Sequence, residues 1–141
     1  MADFNKFTNY SQEIISSASA LMNEYKNSEL RPEHIMLAMI KDTGIIKDYL
    51  TELKLLNQSF INSVVSAVKS FPTISGPPNS QQLFLSTDTY RLLDIAVGES
   101  EKLKDDFISI ETILLAMTLL DNSNIQSLLK SFGVTSSTVL S

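Results

Sequence analysis

Two short stretches decide the fold: residues 33–39 read EHIMLAM, and residues 111–117 read ETILLAM. Five of the seven positions are identical at a separation of 78 residues, since 111 minus 33 is 78. An apolar run of this kind, with polar residues only at its start, is typical of a helix that is buried on all sides. Two such helices in one chain predict that each forms the centre of a repeated unit.

The repeat extends outward from these two stretches over most of the chain. The same offset pairs apolar positions upstream, and an offset of one more residue pairs them downstream. The pairs are Ile14 with Leu92, Ala18 with Ala96, Leu30 with Ile108, Ile46 with Ile125, Leu50 with Leu129 and Phe60 with Val139. Apolar residues within each half recur at steps of three and four, which is the period of an amphipathic helix.

Capping and breaking residues divide each half into four helices. Thr8, Asn57, Ser86 and Ser109 are predicted N-caps, and Pro32 suits a first helical position. The predicted helices cover residues 9–25, 32–41, 45–53, 57–71, 87–104, 110–120 and 124–132, with a short one after residue 135. The sequence therefore predicts an all-α fold of two pseudo-repeated four-helix units packed into one domain over residues 1–141: repeat one at 1–71, a connector at 72–82 and repeat two at 83–141.

Composition excludes several classes of function. There is no cysteine, so thiolate metal sites and thiol catalysis are ruled out, and the single histidine, His34, cannot start a zinc cluster. His34 is expected to be a partly exposed or hydrogen-bonded helix residue, and no serine or threonine has an evident base partner, so we expect no enzyme activity. The net charge of -5 and the lack of Lys or Arg runs argue against nucleic acid as a partner, and the apolar stretches are too short to span a membrane.

Four motifs carry a family resemblance: residues 6–8 (KFT), 32–39 (PEHIMLAM), 106–111 (DFISIE) and 113–116 (ILLA). Together they resemble the Clp N-terminal domain family, a double repeat of four-helix units. The connector FPTISG at 71–76, followed by DDFIS at 105–109, is more similar to ClpB-type disaggregases than to ClpA or ClpC. Thr112 and Glu99 depart from the common pattern of the family.

The resemblance implies a non-catalytic domain that recruits unfolded or aggregated client proteins. It implies two AAA+ modules elsewhere in the protein that bind ATP and Mg, a hexameric full-length protein in the cytoplasm, and cooperation with a DnaK-type chaperone. We expect no cofactor in this domain itself, and a monomer when it is isolated. The alternative is the adaptor-binding N-terminal domain of a ClpC- or ClpA-type unfoldase.

The resemblance also implies a client-binding surface near Thr8, Asp105 and Glu111. Carboxylates beside an apolar groove can hold backbone amides and basic side chains of a client, while Leu93 and Ile95 are expected to contact its apolar side chains. Purely structural roles are open for two of these residues. Thr8 can act as a helix cap, and Glu111 lies in a first helical turn, where a carboxylate is stabilised by the helix dipole.

Overall fold

The computed structural model describes residues 4–74 and 83–140 of the chain. These residues form eight α-helices after a 3-10 turn at Phe4–Lys6. The helices are α1 (Asn9–Glu24), α2 (Pro32–Lys41), α3 (Ile45–Glu52), α4 (Gln58–Ser70), α5 (Thr87–Lys102), α6 (Ile110–Leu119), α7 (Asn124–Ser131) and α8 (Ser136–Leu140).

The four predicted N-cap residues are the N-caps of α1, α4, α5 and α6. The side chains of Thr8, Asn57, Ser86 and Ser109 each accept a hydrogen bond from a backbone N–H of the first turn that would otherwise be unpaired. α5 ends two residues earlier than predicted, because Lys104 adopts a left-handed conformation with φ of 59°.

α2 and α6 lie at the centre of the domain, as their apolar composition predicts. α1, α3 and α4 pack on α2, while α5, α7 and α8 pack on α6. α1 also contacts α6, and α2 contacts α5, so the two halves share one core. Met36, Met39 and Met117 are fully buried within this core.

Backbone contacts between the halves obey the same offset as the sequence. Phe7 pairs in parallel with Ile108, and the corresponding pair is Leu30 with Leu85, since 7 plus 78 is 85 and 30 plus 78 is 108. Hydroxyl groups repeat the relation: Ser11 donates to the Ile108 carbonyl at 3.1 Å, and Thr89 donates to the Leu30 carbonyl at 2.7 Å. Each half therefore docks the first turn of its opening helix on the other half.

The all-α, doubly repeated architecture is confirmed. Within residues 4–74 and 83–140, β pairing is limited to three isolated bridges. The third bridge joins Asn27 to Thr73, at the start of the predicted connector. Residues 75–82 of that connector lie outside the described residues, and the exact boundaries of the two repeats stay predictions.

Candidate functional site

Thr8 lies where the N-terminus meets the loop between α5 and α6. Its hydroxyl caps α1 by accepting from the Ser11 N–H at 3.0 Å, and it donates to the Ser11 hydroxyl at 2.9 Å. Its backbone N–H donates to the Ile108 carbonyl at 3.0 Å. Thr8 is therefore the N-cap of α1, and its backbone bond holds it next to the loop that leads to Glu111.

Glu111 occupies the first turn of α6 and is half-buried. Its negative charge reaches Tyr10, whose pKa rises to about 12. Burial of the phenol is the largest cause of that rise, the hydrogen bond from Tyr10 to Asp42 is the next, and the charges of Asp42 and Glu111 add to it. Tyr10 also accepts a hydrogen bond from the Ile46 N–H at 3.0 Å. The charge of Glu111 therefore acts on the first turn of α1, which carries Tyr10.

Asp105 is exposed in the loop between α5 and α6. Its backbone N–H donates to the Ser100 carbonyl at 3.1 Å, which turns the chain after α5. Asp105 borders a shallow cavity of about 280 Å³ together with Lys6 and Ile108. We call the surface defined by Thr8, Tyr10, Asp105 and Glu111 the Glu111 face.

Leu93 does not lie on this surface, so its expected contact with a client is corrected. Its side chain is 1% exposed, in the core beside Leu92 and Ala96. A helix turns by about 100° per residue, so Leu93 shares the buried stripe of α5, whereas Ile95, two residues later, points about 200° away from it. Ile95 is half-buried and keeps part of its surface accessible.

The domain has a second face that corresponds to the Glu111 face under the 78-residue offset. Asn27, Glu33, Ser86 and Asp88 define it, and we call it the Glu33 face. Glu33 is only 4% exposed and accepts a hydrogen bond from the Asn124 side chain at 3.0 Å. A polar cavity of about 620 Å³ opens beside it, bordered by α2, α4, α5 and α7.

His34 is fully buried and hydrogen-bonded, so of the two expected roles the structure shows the hydrogen-bonded one. Its Nδ1 accepts from the Arg31 N–H at 2.9 Å, so Nε2 carries the proton and donates to the Asn27 side-chain oxygen at 2.7 Å. Burial is the main cause that lowers the pKa of His34 to about 4, and the nearby charge of Arg31 lowers it further. Both ring nitrogens are used in structural hydrogen bonds, and neither is available as a general base.

Residues 4–74 and 83–140 contain no group of three or more His, Asp or Glu side chains arranged to hold a metal ion. Among the helices of these two segments, none has both the length and the apolar character needed to cross a bilayer.

Comparison with known proteins identifies the family. The family model described as the Clp repeat (R) N-terminal domain matches residues 6–132. This chain belongs to the Clp N-terminal domain family. The Chaperone protein ClpB of Bacillus anthracis is 27% identical over 140 residues, which cover 98% of this chain and 16% of the relative. The chain thus spans about a sixth of the length of that relative.

Solved structures agree on the fold of this Clp N-terminal domain. The Hsp104 N-terminal domain from Candida albicans superposes with a TM-score of 0.76 at 26% identity, covering 95% of this chain and 86% of that one. The N-terminal domain of the caseinolytic protease associated chaperone ClpD from Arabidopsis thaliana superposes with a TM-score of 0.69 at 19% identity, covering 97% and 94%. At that lower identity the likeness concerns the fold alone.

The sequence analysis assigned no binding role to two exposed apolar residues, Ile45 and Phe107. Phe107 lies two residues after Asp105, and Ile45 begins α3 next to the Tyr10 contact. A signal for Phe107 was present, since an aromatic residue following two aspartates in a loop has no helical stripe to join. Ile45 gave no such signal, because it falls on a helical apolar pattern.

Proposed function

We propose that this domain recruits unfolded or aggregated protein segments for a ClpB-type AAA+ disaggregase. Threading of the client would be driven by ATP in modules outside this sequence, which would hold ATP and Mg. The proposal includes a hexameric, cytoplasmic full-length protein that works with a DnaK-type chaperone, and a monomeric isolated domain. Family membership and the ClpB relative support it.

One structural observation supports the proposal: the Thr8 N–H donates to the Ile108 carbonyl, in the loop that carries Asp105 and leads to Glu111 in the first turn of α6. Carboxylates at such a junction can accept hydrogen bonds from client amides and pair with client lysine or arginine side chains. A surface that accepts many sequences cannot optimise contacts with one, so we expect micromolar or weaker binding, about -8 kcal/mol or less favourable.

The test uses the 141-residue chain and an unfolded model protein, with NMR amide shifts as the readout. We expect the shifts to cluster on the Glu111 face, and Asp105→Ala and Glu111→Ala to weaken binding while the melting temperature changes little. Glu24→Ala is the matched control, since Glu24 is an exposed carboxylate at the last residue of α1, a helix about 24 Å long. Shifts that map to a different face would refute this site.

The alternative is an adaptor-binding domain of a ClpC- or ClpA-type unfoldase. ClpD, the chaperone whose N-terminal domain shares this fold, is described as associated with a protease. A pull-down with the domain separates the two functions: a mixture of misfolded proteins supports client recruitment, and one abundant folded partner supports the adaptor function.

A further inference from the structure

The loop between α1 and α2 lies between two segments of the chain, one that follows α4 and one that precedes α5. In the first segment, Thr73 pairs antiparallel with Asn27 of the loop. In the second, Leu85 pairs in parallel with Leu30 of the same loop. The loop is therefore held from both sides, and the two sides are attached in different ways.

The segment before α5 is attached by short hydrogen bonds between buried groups. The Leu30 N–H donates to the Phe84 carbonyl at 2.7 Å. The Leu30 carbonyl accepts from the Ser86 N–H at 2.9 Å and from the Thr89 hydroxyl at 2.7 Å. Leu30, Ser86 and Thr89 are all buried, so breaking these bonds would leave buried polar groups unpaired unless the two halves separate.

The segment after α4 is attached more loosely. It comprises residues 71–74, and we call it the strap. The Pro72 carbonyl accepts from the Ser28 N–H at 3.4 Å, and the Ile74 N–H donates to the Lys26 carbonyl at 2.8 Å. The last three residues of the strap are exposed. Exposed backbone hydrogen bonds with little buried apolar surface are typical of segments that open locally while the rest of a domain stays folded.

Phe71 attaches the strap to the buried imidazole of His34. The two rings meet edge to face with their centroids 5.6 Å apart, and the Arg31 guanidinium lies 4.5 Å from the centroid of the Phe71 ring. The strap also reaches the imidazole through Asn27, whose amide donates to the Pro72 carbonyl and whose oxygen accepts from His34. Opening of the strap would therefore remove a ring from His34 and release its hydrogen-bond partner.

The strap also borders the polar cavity of the Glu33 face. Phe71 and Arg31 line this cavity of about 620 Å³, together with the buried carboxylate of Glu33. Because the same ring lines the cavity and contacts His34, moving the ring would give water in the cavity a path to the imidazole.

We propose that residues 71–74 open as a unit while the domain stays folded, and that this opening admits water from the cavity to His34. The closed strap keeps water away from the imidazole and from its Asn27 partner. The open strap exposes both, and it frees the Ser28 N–H and the Lys26 carbonyl on the edge of the loop. This inference does not depend on client binding.

Native-state hydrogen exchange of the 141-residue chain, followed by NMR, tests the opening. The strap amides, Ser28 and Ile74, should have similar protection factors, at least about tenfold below those of the reference amides, Leu30 and Ser86. Ser28 is the informative amide because it lies outside the strap and is held by it. Equal protection of all four amides would show that the strap opens only with the rest of the domain, which would overturn the proposal.

The variant Phe71→Ala tests access to the imidazole. Loss of the ring contacts should speed the exchange of the strap amides and of the His34 Nε2–H by about tenfold, and leave the reference amides unchanged. His34 is the only histidine, so its N–H gives a single signal. Phe84→Ala is the matched control, since Phe84 belongs to the segment before α5 and its side chain is 57% exposed. We expect the control to exchange like the parent chain.

The variant Ile74→Pro opens the strap without removing a buried side chain, and it decides the matter if Phe71→Ala does not fold. It lacks the N–H that donates to Lys26, so the Ser28 amide and the His34 Nε2–H should exchange about fivefold faster. Faster exchange of Ser28 without faster exchange of His34 would show that the strap opens but does not control access to the imidazole. That result would also overturn the proposal.

Discussion

Protonation of His34 should destabilise the folded domain in mild acid. The imidazole is 0% exposed, and Nδ1 accepts from the Arg31 N–H. A second proton would have to be bound at Nδ1, where it would face that N–H donor inside the core. Arg31, whose charge also disfavours the cation, is the charged group that lowers the His34 pKa.

The direction and size of this effect on the free energy of unfolding follow from the difference between the pKa of His34 in the unfolded and in the folded chain. In the unfolded chain His34 has its ordinary pKa of 6.5, and in the folded chain the pKa is about 4. The unfolded state therefore binds more protons between these values, and the stability due to His34 is present above pH 6.5 and lost as the pH falls towards 4. Between pH 7 and pH 4 the loss is about 3 kcal/mol, at 1.36 kcal/mol per pKa unit.

The assay is urea unfolding at several pH values, with His34→Gln as the control. Glutamine has an amide oxygen and an amide N–H for the same two partners but does not titrate in this range. Carboxylates titrate in both proteins, so the difference between their unfolding free energies isolates the imidazole. His34 is the only histidine of the chain, so a single imidazole NMR signal reports its pKa independently.

If the free energy of unfolding fell equally with decreasing pH in the parent protein and in His34→Gln, the reasoning would be refuted. So would an imidazole that titrates near 6.5, because it would show that His34 is solvated in the folded protein.

Two further predictions concern stability. Leu93→Ala should lower the free energy of unfolding by about 2 to 5 kcal/mol, as for other core leucines, and Ile95→Ala by clearly less; equal effects in urea unfolding would contradict the burial of Leu93. Gly133→Ala should destabilise by about 1 to 2 kcal/mol because its φ is +82°, whereas Gly98→Ala, inside α5, should stabilise by up to about 1 kcal/mol. Neither added Cβ would meet an atom within 4 Å outside its own local backbone, so the two shifts in melting temperature should have opposite signs.

Local rules explain why so much of the fold could be predicted. A cap such as Ser109 needs only a backbone N–H three residues ahead, and both are adjacent in the sequence. The repeat was visible because α2 and α6 are surrounded by apolar contacts in both halves, so the same residues are required twice. Thr8, Asp105 and Glu111 came from the family resemblance, and their part in client binding stays a prediction.

Side-chain burial within a known helix was harder to predict. α5 carries Leu92, Leu93, Ile95, Ala96 and Val97 almost without interruption, so the sequence does not specify which stripe turns inward. Contact with α6 decides it, and Leu93 is buried. The burial of His34 likewise depends on Asn27, seven residues earlier, and on the ring of Phe71, whose centroid lies 5.6 Å away.

The connector offers a physical reason why the two equivalent faces differ. Two repeats are joined by one connector, and its start docks on the loop before α2: the Ser28 N–H donates to the Pro72 carbonyl, and the Ile74 N–H donates to the Lys26 carbonyl. The Asn27 side chain is fully engaged in this contact. Its amide N–H donates to the Pro72 carbonyl, and its oxygen accepts from His34. Over residues 4–74 and 83–140, no segment docks in this way on the corresponding loop at Asp105, which leaves its carboxylate and Phe107 exposed. The connector thus gives the two corresponding loops different surroundings, although the units that carry them are copies of each other.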